Sequence, residues 1–119
     1  LQETSRALGL TLEKTIHAHL AGWYGTEGPA VLRCAHTEGA LARLNPSGPV
    51  IEGEVIYAAR EAAAVRLEDV VFRRTPLGSA GHPGEPALER AADLLTREWS
   101  WSIERREEEL ARVHKRFMV

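Results

Sequence analysis

Apolar residues in this chain recur every three or four positions, and no segment alternates apolar with polar well enough to make a half-buried strand. That one property narrows the fold to helices packed on helices. Leu88, Ala91, Ala92, Leu95 and Trp99 give the clearest series, with Pro86 near its start, where a helix accepts proline. Leu12, Ile16, His19, Leu20 and Trp23 give a second, with Thr11 as the expected N-cap and Gly25 as the stop. The expectation is an all-α protein, a small bundle of about five to six helices, several of them short.

The remaining segments fit the same scheme. Residues 1–10 carry little periodicity, so 1–11 read as a lead-in loop or frayed tail and 12–119 as one helical domain. Pro29 sits in the first turn of a helix whose apolar side is Val31, Leu32 and Ala35. Thr37 is placed to cap a further short helix carrying Ala40, Leu41 and Leu44, and Asn45 to Pro49 make a turn that could act as a hinge. Helix formers run from Ile51 to about Ala64, where Val55, Ile56, Ala59, Ala62 and Ala63 make a small-residue face. A short helix then points Leu67, Val70 and Val71 inward, pairs Asp69 with Arg73, and stops before Pro76. A glycine- and proline-rich loop precedes Leu88. Ser102 is the expected N-cap of the last helix, whose apolar stripe is Ile103, Leu110, Val113 and Phe117.

Length and charge exclude several function classes. At 119 residues the chain can bury a core without disulfides, and its single cysteine, Cys34, cannot form one internally. A formal net charge of −2 provides no surplus for binding a phosphate backbone, so no nucleic-acid partner is expected. No apolar run approaches the roughly 20 residues that cross a bilayer. The opening Leu1-Gln2-Glu3, in place of methionine, raises the expectation of a piece of something longer.

Residues that commonly carry chemistry lack the spacing chemistry needs. His17 and His19 stand two apart and point to different faces, so no metal ligand is expected; His19 belongs on the packed edge and His17 outside. Cys34 has no oriented base and reads as a small buried thiol. The glycines form neither GxGxxG nor GxxxxGK[ST], so no cofactor-binding residue is expected. Trp99 and Trp101 read as a core residue and one across the helix corner, and ERREEE as a solvated face. In EVIYAAREAAAVRLEDVVFRRT, Arg60, Arg66, Arg73 and Arg74 lie among Glu54, Glu61, Glu68 and Asp69, which points to ion-paired structure. On spacing alone the chain is an interaction module of unknown partner.

Several phrases together carry a resemblance. Tyr24-Gly25, then Glu54, Val55, Tyr57, Ala58 and Arg60, then Leu67 to Val70, Arg73 to Thr75, and Trp101-Ser102 follow an ordered pattern. The stretch from about residue 12 to 117 resembles the C-terminal domain of FAD-dependent glycerol-3-phosphate dehydrogenases and alpha-glycerophosphate oxidases. One difference is that Arg60-Glu61-Ala62 stands where that family has Arg-x-Glu, moving the carboxylate by one place.

The resemblance implies an accessory helical domain with no catalytic, cofactor or metal residue of its own. FAD would belong to a parent oxidising sn-glycerol 3-phosphate to dihydroxyacetone phosphate. Expected partners are upstream FAD and substrate domains of the same polypeptide, with a homo-oligomer as a further possibility. Expected location is cytoplasmic, with the parent peripheral at the inner face of the membrane and any membrane contact made through it. Arg60, Arg73, Arg74 and Thr75 are the expected docking residues. The competing reading is a free-standing helical adaptor or regulatory module, including a small DNA-binding bundle supported by Arg73-Arg74.

Overall fold

The computed structural model describes residues 1–61 and 66–118. Seven α-helices follow in chain order among them: α1 (Gln2–Ala7), α2 (Lys14–Tyr24), α3 (Gly28–Thr37), α4 (Glu52–Glu61), the one-turn α5 (Leu67–Asp69), α6 (Glu85–Trp99) and α7 (Ile103–Phe117). A 3-10 turn at Gly25–Glu27 joins α2 to α3, and a π-helical turn at Val70–Arg74 continues α5. No strand occurs among the described residues; one isolated antiparallel bridge links Arg43 to Ile51. The all-α expectation holds.

α4 is the central helix. Gly53, Glu54, Val55, Ile56 and Ala58 are all buried along it, and it packs against α3, α6 and the π turn. The approach to α3 depends on glycine: a Cβ on Gly53 would lie 2.2 Å from Ala35 Cβ and 2.6 Å from Ala35 Cα. Backbones meeting this closely need a small residue on each side, so Gly53 and Ala35 set the α3–α4 contact. The expected small-residue face included Ala62 and Ala63, which lie outside the described residues.

Two apolar clusters flank α4. One joins Val55, Ile56, Leu67, Val70 and Val71 to Leu88, Ala91, Leu95, Leu110 and Val113. The other gathers Ile16, Leu20, Val31, Leu32, Ala35 and Ile51. Tyr57 on α4 leans on this second cluster, and so do Leu1, Leu8, Leu10 and Leu12.

That last contact corrects the lead-in reading of 1–11. The segment holds a helix, and its serine is buried, donating through Ser5 Oγ to the Leu10 carbonyl at 2.8 Å. Its leucines lack internal periodicity because the surface they cover belongs to α2 and α3. Thr11 does not cap α2, whose N-cap is Glu13 in an extended conformation with no side-chain bond.

The helix expected over Ala40 to Leu44 does not form. Thr37 is the last residue of α3, and Gly39, at φ 65°, closes that helix instead. Gly39 N–H donates to His36 O at 3.2 Å and Ala40 N–H to Ala35 O at 2.8 Å, the paired bonds of a Schellman motif. The chain then turns back on itself through bends and a turn, with Leu44 N–H on Val50 O and Glu52 N–H on Ala42 O, both at 2.9 Å.

Other termini match expectation. Gly25 ends α2 at φ 55°, Pro29 and Pro86 sit in first turns, and Ser102 Oγ accepts from Arg105 N–H at 3.0 Å. On α7 the stripe is shorter than expected. Leu110 and Val113 are buried, but Ile103 is 78% exposed, and Glu109 occupies a buried place beside Leu110.

Candidate docking site

Glu54 is fully buried, and its carboxylate joins α2 to the start of α4. Oε1 accepts from Tyr24 Oη at 2.8 Å and lies 2.7 Å from His19 Nε2, while Oε2 accepts from the Ile51 backbone N–H at 2.7 Å. Carboxylates leave water only when their lone pairs are met elsewhere. Here α2 supplies two side-chain partners and the start of α4 a backbone one. Burial and the facing Glu54 push the Tyr24 hydroxyl well above the ordinary tyrosine range, so it stays a donor. His19 sits on the packed edge, as its spacing predicts.

Next to this junction, the end of α2 reaches the π turn through Trp23. Trp23 Nε1 donates to the Arg74 carbonyl at 3.1 Å, and Trp23 remains 48% exposed. Beside it opens a surface concavity of about 360 Å³, lined by Trp23, Tyr24, Glu27, Tyr57, Ala58, Glu61, Arg73 and Arg74. The arginines arrive there because the chain winds as a π turn, in which Thr75 N–H reaches back five residues to Val70 O at 3.1 Å. Such turns interrupt regular helices and are frequent at functional sites.

The four residues expected at a docking seam separate into three settings. Arg73 and Arg74 line the Trp23 concavity together. Arg73 keeps its expected partner Asp69 at 3.6 Å with a side chain 70% exposed. Arg60 lies in a neighbouring concavity of about 420 Å³ beside Cys34 and Glu38, which shares Tyr57 and Glu61 with the first. It is held by Glu98 through Nε at 2.6 Å and Nη2 at 3.0 Å, and by Glu38 at 3.2 Å. The Glu98 bonds, then Glu38, raise its pKa further above the usual arginine range.

Thr75 is not on the surface. It is 1% exposed; its Oγ1 donates to Val70 O at 2.8 Å and accepts from Leu77 N–H at 3.2 Å. Its role is to close the π turn ahead of Pro76.

Most ion pairs cross between segments and do not run along EVIYAAREAAAVRLEDVVFRRT as its spacing suggests. Arg60 goes to Glu98, Arg66 to Glu109 and Glu68 to Arg116; Asp69 with Arg73 is a local pair that forms. Glu109 is a second buried carboxylate: Oε1 accepts from Leu67 N–H at 2.9 Å, and Oε2 from Arg105 Nε at 3.0 Å. Two side chains depart from their expected settings. Cys34 is only partly buried, with burial raising its pKa against an opposing pull from Arg60. His17 is not outward, since its Nε2 is enclosed by the protein.

An all-helical domain whose buried acid braces an exposed aromatic and cationic face is the class this geometry defines. Residues 2–106 match the family described as the C-terminal domain of alpha-glycerophosphate oxidase, and the chain belongs to that family. It is 37% identical over 100 residues to the probable mitochondrial glycerol-3-phosphate dehydrogenase of Dictyostelium discoideum, a match covering 83% of this chain and 16% of that one. To the mitochondrial glycerol-3-phosphate dehydrogenase of Bos taurus it is 34% identical over 110 residues, covering 87% and 15%. The glycerol-3-phosphate dehydrogenase of a Synechocystis species is 28% identical over 109 residues, covering 90% and 20%. The chain thus spans about a sixth of the length of the first relatives. No solved structure matches, and no described helix is long and apolar enough to cross a membrane.

Proposed function

We propose that this chain is the accessory docking domain of an FAD-dependent glycerol-3-phosphate dehydrogenase, itself non-catalytic, which packs on the FAD and substrate domains through the face formed by Trp23, Arg73 and Arg74. The observation carrying this reading is the Trp23 face itself. A large aromatic is left half exposed while its indole N–H is anchored on Arg74 O, and two arginines flank it. Tryptophan and arginine on a rigid support are the residue types that dominate interface energetics.

The described residues do not fit FAD. A dinucleotide site needs a glycine-rich turn leading from a strand into a helix, and no described strand exists to precede one. The glycine-rich loop before α6 begins at Gly78, where an added Cβ would lie 2.9 Å from Val71 Cγ1; that glycine serves packing. On this reading FAD and the groups that bind glycerol 3-phosphate reside in the parent's other domains. The parent's activity follows the glycerol-3-phosphate dehydrogenase names of the relatives. Its location, cytoplasmic and peripheral at a membrane, is part of the same proposal.

The test is to prepare the parent with and without this domain, and with Trp23→Ala, and to compare retained flavin and dehydrogenase activity. The reading expects the shortened and W23A enzymes to lose flavin or activity faster on warming. Equal retention by all three would remove the docking role.

A further inference from the structure

Away from the Trp23 face, the fold gathers His82, Glu85 and His114, with one ligand atom from each lying within 4.8 Å of the others. His82 and Glu85 stand three apart where the loop enters α6, and His114 comes from the last turn of α7. Histidine spacing along the chain gives no hint of this, because the third ligand arrives through tertiary packing.

We propose that these three residues form a zinc site that fastens the loop before α6 to α7. Glu85 lies 3.0 Å from His114 Nε2 and 3.4 Å from His82 Nε2. Tetrahedral zinc, with bonds of about 2.0–2.1 Å, sets its ligand atoms roughly 3.3 Å apart; the two Glu85 separations bracket that value, and the two histidine nitrogens lie within 4.8 Å of each other. Two imidazoles and one carboxylate are a recurring three-residue zinc set, leaving a fourth position for water. All three side chains reach solvent, which provides an entry path.

The rings of His82 and His114 lie parallel, with planes 4° apart and centroids 6.0 Å apart, so the exposed His82 ring turns for both Nε2 lone pairs to meet one ion; Phe117 packs on His82 at 4.9 Å. Imidazole selects zinc, nickel or copper over magnesium or calcium, which take oxygen ligands. The C-terminal end of a helix, where His114 lies, also favours a cation.

Zinc takes the Nε2 lone pair of each ring, so each neutral imidazole must carry its proton on Nδ1. His114 Nε2 exchanges its contact with Glu85 for the metal. His82 Nδ1 accepts from Gly84 N–H at 2.9 Å in the metal-free chain; as the ring turns and Nδ1 takes the proton, that exposed bond is broken and both N–H groups go to water.

The experiment is calorimetric titration of the EDTA-stripped chain with zinc chloride, alongside thermal unfolding. One zinc per chain and a rise in unfolding midpoint reversed by EDTA are expected. His82→Asn and His114→Ala should each weaken binding at least about tenfold, the lower bound for disturbing a metal's surroundings; the exposed His36→Ala should bind as the parent chain does. His82→Asn alters only an exposed loop residue, so it reads the site even if His114→Ala folds poorly. Absence of zinc binding, or binding that survives His82→Asn, would overturn the site.

Discussion

Tyr24 Oη donates to Glu54 Oε1 at 2.8 Å, tying the last residue of α2 to the first turn of α4 across thirty positions of sequence. Glu54 has no exposure to water, so each of its partners stands in for solvent. Glu54→Ala should destabilise the domain by about 3–5 kcal/mol, because it strips a buried polar junction from His19, Tyr24 and Ile51 together. Tyr24→Phe removes one bond and should cost about 1–2 kcal/mol. Urea unfolding of both variants and the double variant checks this; additive losses would show that Tyr24 and Glu54 are not coupled.

Alkaline pH should unfold the domain through the same residue. Burial, then Glu54, raises the Tyr24 pKa in the folded state. A raised pKa means the folded chain holds a proton that the unfolded chain releases, so stability is intact below the unfolded tyrosine pKa of about 10 and falls as pH rises beyond it. The Tyr24 contribution to that fall is about 1.4 kcal/mol per pH unit. Unfolding curves between neutral and strongly alkaline pH should therefore show a shallower loss for Tyr24→Phe than for the parent chain.

Gly53→Ala should be among the most damaging single changes. The new Cβ would meet both Ala35 Cβ and the Ala35 backbone, which cannot swing aside as a flexible side chain could. Overpacking of this kind costs about 1–3 kcal/mol, and a backbone obstacle puts it at the upper end. Thermal unfolding checks the loss, and Gly22→Ala, where the added carbon meets nothing within 4 Å, is the control.

Helix type and most helix ends were legible in the sequence because they depend on neighbours. Gly25, Pro29, Pro86 and Ser102 act within one turn of where they stand. What periodicity could not reveal depends on partners far along the chain. Leu1, Leu8 and Leu10 look like a frayed tail until α2 and α3 supply the surface they cover. Glu54 and Glu109 look like solvated helix charges, yet both are buried because backbone N–H groups of Ile51 and Leu67 meet them. Thr75, grouped with Arg73 and Arg74 by adjacency, separates from them because the π turn carries the arginines outward and folds the threonine inward.

Arg73→Ala with Arg74→Ala should leave the stability of the domain within about 0.5 kcal/mol of the parent chain, since an exposed pair like Arg73 with Asp69 contributes little. The Trp23 bond goes to the Arg74 backbone and survives the substitution. A larger loss in denaturant would assign these arginines to holding this fold.

The most direct test of the docking role is calorimetric titration of this chain into the separately prepared FAD and substrate domains of its parent. The account predicts saturable one-to-one association, weakened at least about tenfold, or 1.4 kcal/mol, by Trp23→Ala and by the Arg73, Arg74 double variant, with both variants still folded. Association that ignores all three substitutions, or no association at all, would contradict it.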